Sequence, residues 1–275
     1  MIRHIGDLPA LKECGTLYVP EDIPHAELAG LFTTRNNERF SHLRNLKLES
    51  TTSGPLEVVI NALQRPLDVL ELYVGDNPRP VALLNLTTAL RQHTCTTSLK
   101  RLSLKTGAPE EGDEDQDSAF FAPLFALKGL KQLNVSSHYT SKVTDRDLLG
   151  AAAAWPCLEE LIFEGHITDH NVTLPGLAPL LTKCPRLTIL VIPVLPVPFD
   201  TGILDPNLNS EVDLLNLSSL VAVAAADVEG VSRCLARLFP KLRVFLIDMD
   251  ARGPELGWSA VGNGLDAHLG RIVSY

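Results

Sequence analysis

The sequence predicts an α/β solenoid: one domain over residues 1–275 in which strand–helix repeats stack on one another. The first observation is an apolar pattern, Leu-x-x-Leu-x-Leu, that recurs along most of the 275 residues. The second is its spacing, because successive copies begin 24 to 32 residues apart and leave room for a helix in each interval. The first leucines of about eight copies are Leu43, Leu67, Leu99, Leu130, Leu158, Leu187, Leu217 and Leu242.

Each copy predicts one short strand whose leucines point into a core, because the side chains of a strand alternate between its two faces. The second leucines of four copies are therefore expected on adjacent parallel strands: Leu70, Leu102, Leu133 and Leu161. The copy that follows Leu187 is degraded, and we place it around Leu217, Leu220 and Val223. Leu17 and Val19 fit the remnant of an earlier strand.

The segments between the copies carry helix signals. Ser53, Gly54 and Pro55 predict a cap followed by proline in the first turn. Thr144 and Asp147 have the spacing of a capping box, with aspartate in place of glutamate. Prolines stand just before three strand copies, where they end a helix and turn the chain: Pro156, Pro185 and Pro240. Each repeat is therefore predicted to be helix, turn, short strand and loop.

A capping helix is predicted near the C-terminus, over about residues 257–273. Its apolar residues follow helical spacing and would close the last repeat: Trp258, Val261, Leu265, Leu269 and Ile272. We find no comparable cap at the N-terminus, so the chain is expected to begin partway into a repeat.

Stacking is required because one repeat cannot fold alone. Its strand buries about three large apolar side chains, which contribute roughly 1.5–3 kcal/mol each. Ordering its backbone costs roughly 1–2 kcal/mol per residue. Neighbouring strands lie about 4.8 Å apart and neighbouring helices about 8–10 Å apart. The stack is therefore expected to curve, with parallel strands on a concave face and helices on a convex face.

Charge and cysteine content restrict the partners and the compartment. The net charge of −9 argues against nucleic acid and anionic membrane surfaces, since both favour a basic face. No apolar run is long enough to cross a bilayer, and the first residues do not form a signal peptide. The five cysteines are widely spaced, so we expect free thiols in a cytoplasmic or nuclear, intracellular protein.

No motif points to catalysis, a cofactor or a metal. Gly-rich phosphate loops and a GxSxG elbow are absent from the sequence. His166 and His170 would share one face of a helix and could bind zinc, but they directly follow a strand copy, so we expect a loop. Residues 109–117 hold six acids and no base, which predicts a solvated surface loop or, alternatively, a docking loop for a basic partner. We therefore expect a protein that is not an enzyme.

The residues between the leucines of each copy define a candidate partner-binding surface on the concave face. They are Lys47, Glu71, Tyr73, Arg101, Lys105, Asn134, Glu160, Glu164, Ile189, Val191 and Leu246. The N-terminal half of this set is polar with mixed charge, whereas the C-terminal half is apolar, as would be Val221 in the degraded copy. Exposed apolar patches often bind partners. The alternative is that loops of the chain itself, such as residues 195–199, cover the apolar half.

Two segments resemble a known family. Cys184-Pro185-Arg186-Leu187 is similar to the joint between leucine-rich repeats of F-box proteins. The segment from Val231 to Leu242, followed by Trp258-Ser259-Ala260-Val261, resembles the C-terminal end of F-box-like proteins of mushroom-forming fungi. This likeness implies a leucine-rich-repeat fold of the ribonuclease-inhibitor-like type, in which the repeats hold a protein substrate.

In that family an N-terminal F-box docks on the Skp adaptor of a cullin-RING ubiquitin ligase. This sequence departs from the pattern, because nothing like an F-box precedes the repeats. We therefore expect substrate recognition of the F-box type, with the Skp adaptor as a partner only if the full-length protein carries an F-box. The alternative is a repeat scaffold or ribonuclease-inhibitor-like binder that has no link to a ligase.

Overall fold

The computed structural model describes residues 11–33, 40, 42–63, 65–75, 79–93, 96–107, 118–137, 142–164, 171–195, 210–217, 223, 227–246, 258–270 and 273–274. The chain divides into two compact units, Met1–Ser137 and His138–Tyr275, named unit 1 and unit 2 below. Each unit contains parallel strands in chain order with helices between them, which is the α/β leucine-rich-repeat fold that the sequence predicts. The expectation of a single domain over the whole chain stays a prediction.

Unit 1 contains a parallel sheet in the order β1-β2-β3-β4-β5. Its strands are β1 (Glu13–Tyr18), β2 (Asn45–Ser50), β3 (Val69–Val74), β4 (Arg101–Thr106) and β5 (Gln132–Ser136). Its helices are α1 (His25–Phe32), α2 (Ser53–Ala62) and α3 (Pro80–Gln92). Helix α2 packs against both α1 and α3, so helices form a second layer beside the strands. Strand β1 confirms the early strand indicated by Leu17 and Val19.

The register of unit 1 aligns the repeated leucines. Leu70 pairs with Leu102, and Leu102 pairs with Leu133, on adjacent parallel strands. All three side chains are at most 1% exposed, as is Leu48 on β2. The leucine pattern therefore forms the core that the spacing predicts, and one buried ladder runs from each strand to the next.

The interval between β4 and β5 differs from the predicted helical pattern. Its described part holds two short 3-10 segments, Ser118–Phe120 and Ala122–Ala126, which pack against α3. Phe120, Phe121 and Leu124 are at most 2% exposed, so these aromatic and aliphatic side chains fill the space beside the sheet. The acidic run at residues 109–117 lies outside the described residues.

Unit 2 contains a parallel sheet in the order β6-β7-β8-β9-β10. Its strands are β6 (Glu160–Glu164), β7 (Ile189–Val191), β8 (Leu214–Asn216), β9 (Val244–Leu246) and β10 (Val273–Ser274). Its helices are α4 (Asp145–Ala154), α5 (Ala178–Lys183), α6 (Val228–Leu238) and α7 (Trp258–Leu269), with a 3-10 segment at Pro175–Leu177. Leu161 pairs with Leu190 in the core ladder of this unit.

The capping box predicted at the start of α4 is present. The Thr144 hydroxyl accepts from the Asp147 backbone N–H at 3.3 Å, and the Asp147 carboxylate accepts from the Thr144 N–H at 2.9 Å. At α2 the predicted cap is only partly right. The helix begins at Ser53, and the hydroxyl of Thr52, the capping residue, makes no capping hydrogen bond. Pro55 does lie in the first turn.

The degraded copy was placed wrongly. Strand β8 is Leu214–Asn216, and Leu215 pairs with Leu190 on one side and Phe245 on the other. The apolar triplet of this repeat is therefore Val212, Leu215 and Leu217, each 0% exposed. Leu217 ends the true triplet, but it resembles the start of one because Leu220 follows three residues later. Leu220 and Val221 lie outside the described residues.

The C-terminal helix is present but shorter than predicted. Helix α7 spans Trp258–Leu269 and packs against α6, with Val261 and Leu265 fully buried. Gly270 follows at a φ of 65°, a left-handed conformation that glycine adopts readily and that ends a helix. Its N–H donates to the Asp266 carbonyl at 2.6 Å. Strand β10 follows and pairs with β9.

Candidate functional site

The outward side chains of β1–β5 form a grid that we name the strand face of unit 1. The register aligns them in three rows, because parallel partners stand side by side about 4.8 Å apart. The first row is Glu13, Asn45, Val69, Arg101 and Gln132; the second is Thr16, Lys47, Glu71, Ser103 and Asn134; the third is Tyr18, Glu49, Tyr73, Lys105 and Ser136. The structure thus brings together Lys47, Glu71, Tyr73, Arg101, Lys105 and Asn134, as the sequence analysis expected.

Polar contacts along the rows are made between neighbouring strands. Lys47 Nζ lies 3.9 Å from Glu71 Oε2, with side chains 45% and 42% exposed. Asn45 Nδ2 donates to Glu13 Oε1 at 2.6 Å. The exposed guanidinium of Arg101 donates from Nε to Gln132 Oε1. Exposed pairs of this kind contribute only about 0–1 kcal/mol, so these side chains remain available to a partner.

Two tyrosines dominate the third row. Tyr18 is 51% exposed and Tyr73 is 36% exposed. Among the described residues the other exposed large apolar side chains are Val81 on α3 and Leu149 on α4, which belong to helices. Tyrosine is enriched in interface hot spots, since its ring gives a large contact area at low entropic cost. Tyr73 was among the side chains predicted from the sequence, whereas Tyr18 was not, although it stands between Leu17 and Val19, the two residues that indicated an earlier strand.

Asn134 provides an unused acceptor in the second row. Its side chain is half-buried, and its Oδ1 is inaccessible to solvent while accepting no hydrogen bond from the described residues. The Oδ1 of Asn216, in unit 2, is likewise buried and accepts no hydrogen bond from the described residues. Buried amide oxygens are normally paired, so these two atoms are exceptions to the usual pairing.

The outward side chains of β6–β9 form a second grid, the strand face of unit 2. One row is Glu160, Ile189, Leu214 and Val244, and the next is Ile162, Val191, Asn216 and Leu246. Glu164 is exposed at the end of β6, whereas Glu160, Ile189 and Leu246 are half-buried. This face is largely apolar, as the sequence analysis expected.

Val191 answers a question that the sequence left open for this face. The apolar half could be exposed or covered by the chain's own loops, and Val191 is only 6% exposed. Ile162 and Asn216 flank it in register on the two neighbouring strands. Aspartate at this position would therefore test folding rather than binding. His166, His170 and residues 196–199 lie outside the described residues.

The described residues offer little chemistry of their own. Burial raises the pKa of the Cys184 thiol to about 11, and the thiol donates to the Trp155 carbonyl at 3.2 Å, so it is not a nucleophile at neutral pH. No group of three or more described His, Cys, Asp or Glu side chains is arranged to hold a metal ion. None of the described helices combines the length and apolar character needed to cross a membrane.

Comparisons with known proteins give likenesses to solved structures. No protein-family model matches the sequence, and no curated protein matches it. Among 29 matching chains of solved structures is the leucine-rich repeat-containing protein LegL7 from Legionella pneumophila. The two chains are 16% identical and superpose with a TM-score of 0.42 over 94% of this chain and 81% of the other. The repeat fold described above therefore follows from the strand register and not from this likeness.

Proposed function

We propose that this protein is a protein-interaction module whose main binding surface is the strand face of unit 1. The observation that carries the proposal is the pair of exposed tyrosines, Tyr18 and Tyr73, in a row of in-register side chains. A strand sheet gives such side chains a fixed spacing, so little entropy is lost when a partner docks. A protein partner fits this surface better than a small molecule, because many of its described side chains are exposed and carry mixed charge.

The experiment compares partner capture by two double variants. Tyr18→Ser with Tyr73→Ser removes the exposed rings from the strand face. Val81→Ser with Leu149→Ser removes exposed apolar side chains of similar or greater exposure from helices α3 and α4. Both variants are made in the full chain, and retained folding is checked by circular dichroism.

Cross-linking and mass spectrometry in the source cells then identify the partners of each protein. We expect the tyrosine variant to lose its main partner by about tenfold or more, because interface tyrosines commonly carry 1–2 kcal/mol or more. The helix variant should retain that partner. Equal loss in both variants, or loss only in the helix variant, would contradict the proposal.

The finer proposal is substrate recognition of the F-box, ubiquitin-ligase type in the cytoplasm or nucleus. Its support is the similarity of Cys184-Pro185-Arg186-Leu187 and of the C-terminal segment to F-box-like proteins. In the structure, the first of these segments joins α5 to β7. Co-purification of the Skp adaptor with the full-length protein tests it, with the Tyr18/Tyr73 variant as the control that should keep the adaptor and lose the substrate.

The second candidate is a repeat scaffold with no ligase link, and the same strand face supports it equally. A captured partner that depends on Tyr18 and Tyr73, without the Skp adaptor and without ubiquitination of the partner, favours the scaffold. Neither candidate assigns a catalytic step to this chain, and a cofactor or metal has no part in either.

A further inference from the structure

Glu49 stands between the two exposed tyrosines. It pairs in register with Tyr18 on β1 and with Tyr73 on β3, so the three side chains project from one face in one line. Their neighbours Leu17, Leu48 and Leu72 point into the core and are at most 9% exposed. The two tyrosines are about 9.6 Å apart at the backbone, which is twice the spacing of neighbouring strands.

The carboxylate of Glu49 is available for a partner. No ion pair and no side-chain hydrogen bond reaches it within the described part of the chain. Lys47, the nearest basic residue along β2, lies 3.9 Å from the Glu71 carboxylate instead. A negative charge flanked by two rings is the arrangement that attracts a cation, since the ring faces are themselves electronegative.

One base on the neighbouring strand limits the negative potential of this row. Lys105 stands next to Tyr73 on β4 and is the opposing charge. A single cationic side chain therefore suits the site better than a dense cluster of cations.

We propose that Tyr18, Glu49 and Tyr73 form a clamp for one arginine side chain of the partner protein. Arginine fits better than lysine, because its planar guanidinium stacks on aromatic rings while donating two hydrogen bonds to one carboxylate. The two tyrosines stand on the strands either side of β2, so a guanidinium bound to the Glu49 carboxylate would lie between their positions. This inference rests on the proposed function and specifies the chemistry that the strand face of unit 1 recognises.

The test uses fluorine NMR of the full chain labelled with 3-fluorotyrosine. The sequence has four tyrosines, Tyr18, Tyr73, Tyr139 and Tyr275, so four resonances are expected. Tyr18→Phe and Tyr73→Phe assign the two that matter. The probe is the peptide Gly-Ser-Arg-Ser-Gly, acetylated and amidated at its ends, titrated to millimolar concentration. Its matched control carries citrulline, which keeps the shape of arginine and removes its charge.

We expect the arginine peptide to shift the Tyr18 and Tyr73 resonances, and the citrulline peptide to bind about fivefold more weakly. Glu49→Gln should also weaken the arginine peptide about fivefold. Glu13→Gln is the matched control, because it removes one carboxylate from the same face at the far end of β1. Lys105→Gln should tighten binding about twofold, since it removes a like charge about 10 Å away.

Equal binding of the arginine and citrulline peptides would overturn the clamp, as would a Glu49→Gln variant that binds like the wild type. Failure to shift either tyrosine with any peptide would overturn it as well. These results are separable from failure of the proposed function. If the partner in cells still depends on Tyr18 and Tyr73 but the peptide shows no charge selectivity, only the arginine clamp is wrong.

Discussion

Gly176→Ala offers a sharp test of how neighbouring repeats are joined in unit 2. The carboxylate of Asp145, at the start of α4, accepts from the backbone N–H and from the hydroxyl of Thr173, each at 2.8 Å. The Thr173 hydroxyl in turn accepts from the Gly176 N–H at 3.1 Å. A Cβ atom on residue 176 would lie 1.9 Å from Asp145 Oδ1 and 2.2 Å from its Cγ. The carboxylate would therefore have to leave.

The cost follows from the two hydrogen bonds that would be lost. Each bond to a charged acceptor is worth about 1.5–3 kcal/mol, and the lower end applies because Asp145 is half-buried. We therefore expect Gly176→Ala to destabilise unit 2 by about 3 kcal/mol. Asp145→Ala removes the same bonds and should cost about as much. In the double variant the clash is gone, so the total should stay near 3 kcal/mol and the coupling energy should be about 3 kcal/mol.

Urea denaturation followed by tryptophan fluorescence measures this cycle. Both tryptophans, Trp155 and Trp258, belong to unit 2, so the signal reports on this unit. Trp155 is fully buried directly after α4, which makes it sensitive to unfolding. Additive costs, with the double variant near 6 kcal/mol, would refute the account of the Asp145–Thr173 connection.

Three further changes probe the core, a cap and a titrating group. Leu102→Ala should cost about 2–5 kcal/mol, measured by circular dichroism in urea, because Leu102 is 0% exposed; a cost under about 1 kcal/mol would contradict its core position. Thr144→Ala should cost about 0.5–2 kcal/mol through loss of the capping box, and an unchanged urea midpoint would argue against it. Burial lowers the pKa of His93, whose Nε2 contacts the Leu63 carbonyl, so protonation favours the unfolded chain. The stabilising contribution of neutral His93 should be complete above about pH 6.5 and should decrease as the pH drops toward the lower folded pKa. His93→Gln should reduce this loss of stability. Identical pH profiles of the variant and the wild type would refute the role of His93.

Strand positions could be predicted from the sequence wherever the triplet is intact. Leu70, Leu102 and Leu133 lie on adjacent parallel strands because identical spacing gives identical registers, and the buried side chains fix each strand face. The degraded repeat failed because Val212 replaces the first leucine, so a later leucine pair offered a competing register. Valine is buried nearly as readily as leucine, so both registers were possible from the sequence. The pairing of Leu215 with Leu190 in the structure distinguishes the two registers.

The sequence predicted which side chains of the candidate surface point outward, but not how exposed each of them is. Period-two alternation correctly assigned Lys47, Glu71 and Tyr73 to the outward face. Alternation does not determine whether an outward side chain is exposed, and Val191 is buried although it belongs to the outward set. Tyr18 was missed for a different reason, because the bulge in β1 obscures the full triplet and only Leu17 and Val19 indicated a strand there. Period-two alternation applied to these two residues already places Tyr18 on the outward face.

Disulfide trapping measures the register of unit 1 most directly. Lys47 and Glu71 stand side by side on β2 and β3, so cysteines at these two positions should have Cα atoms about 5 Å apart, within disulfide range. Cysteines at Lys47 and Tyr73 are two residues out of register, so their Cα atoms should be too far apart for a disulfide. Mild oxidation followed by peptide mapping should give a rapid cross-link for the first pair and little for the second. A faster cross-link in the second pair would contradict the stacked, in-register strands.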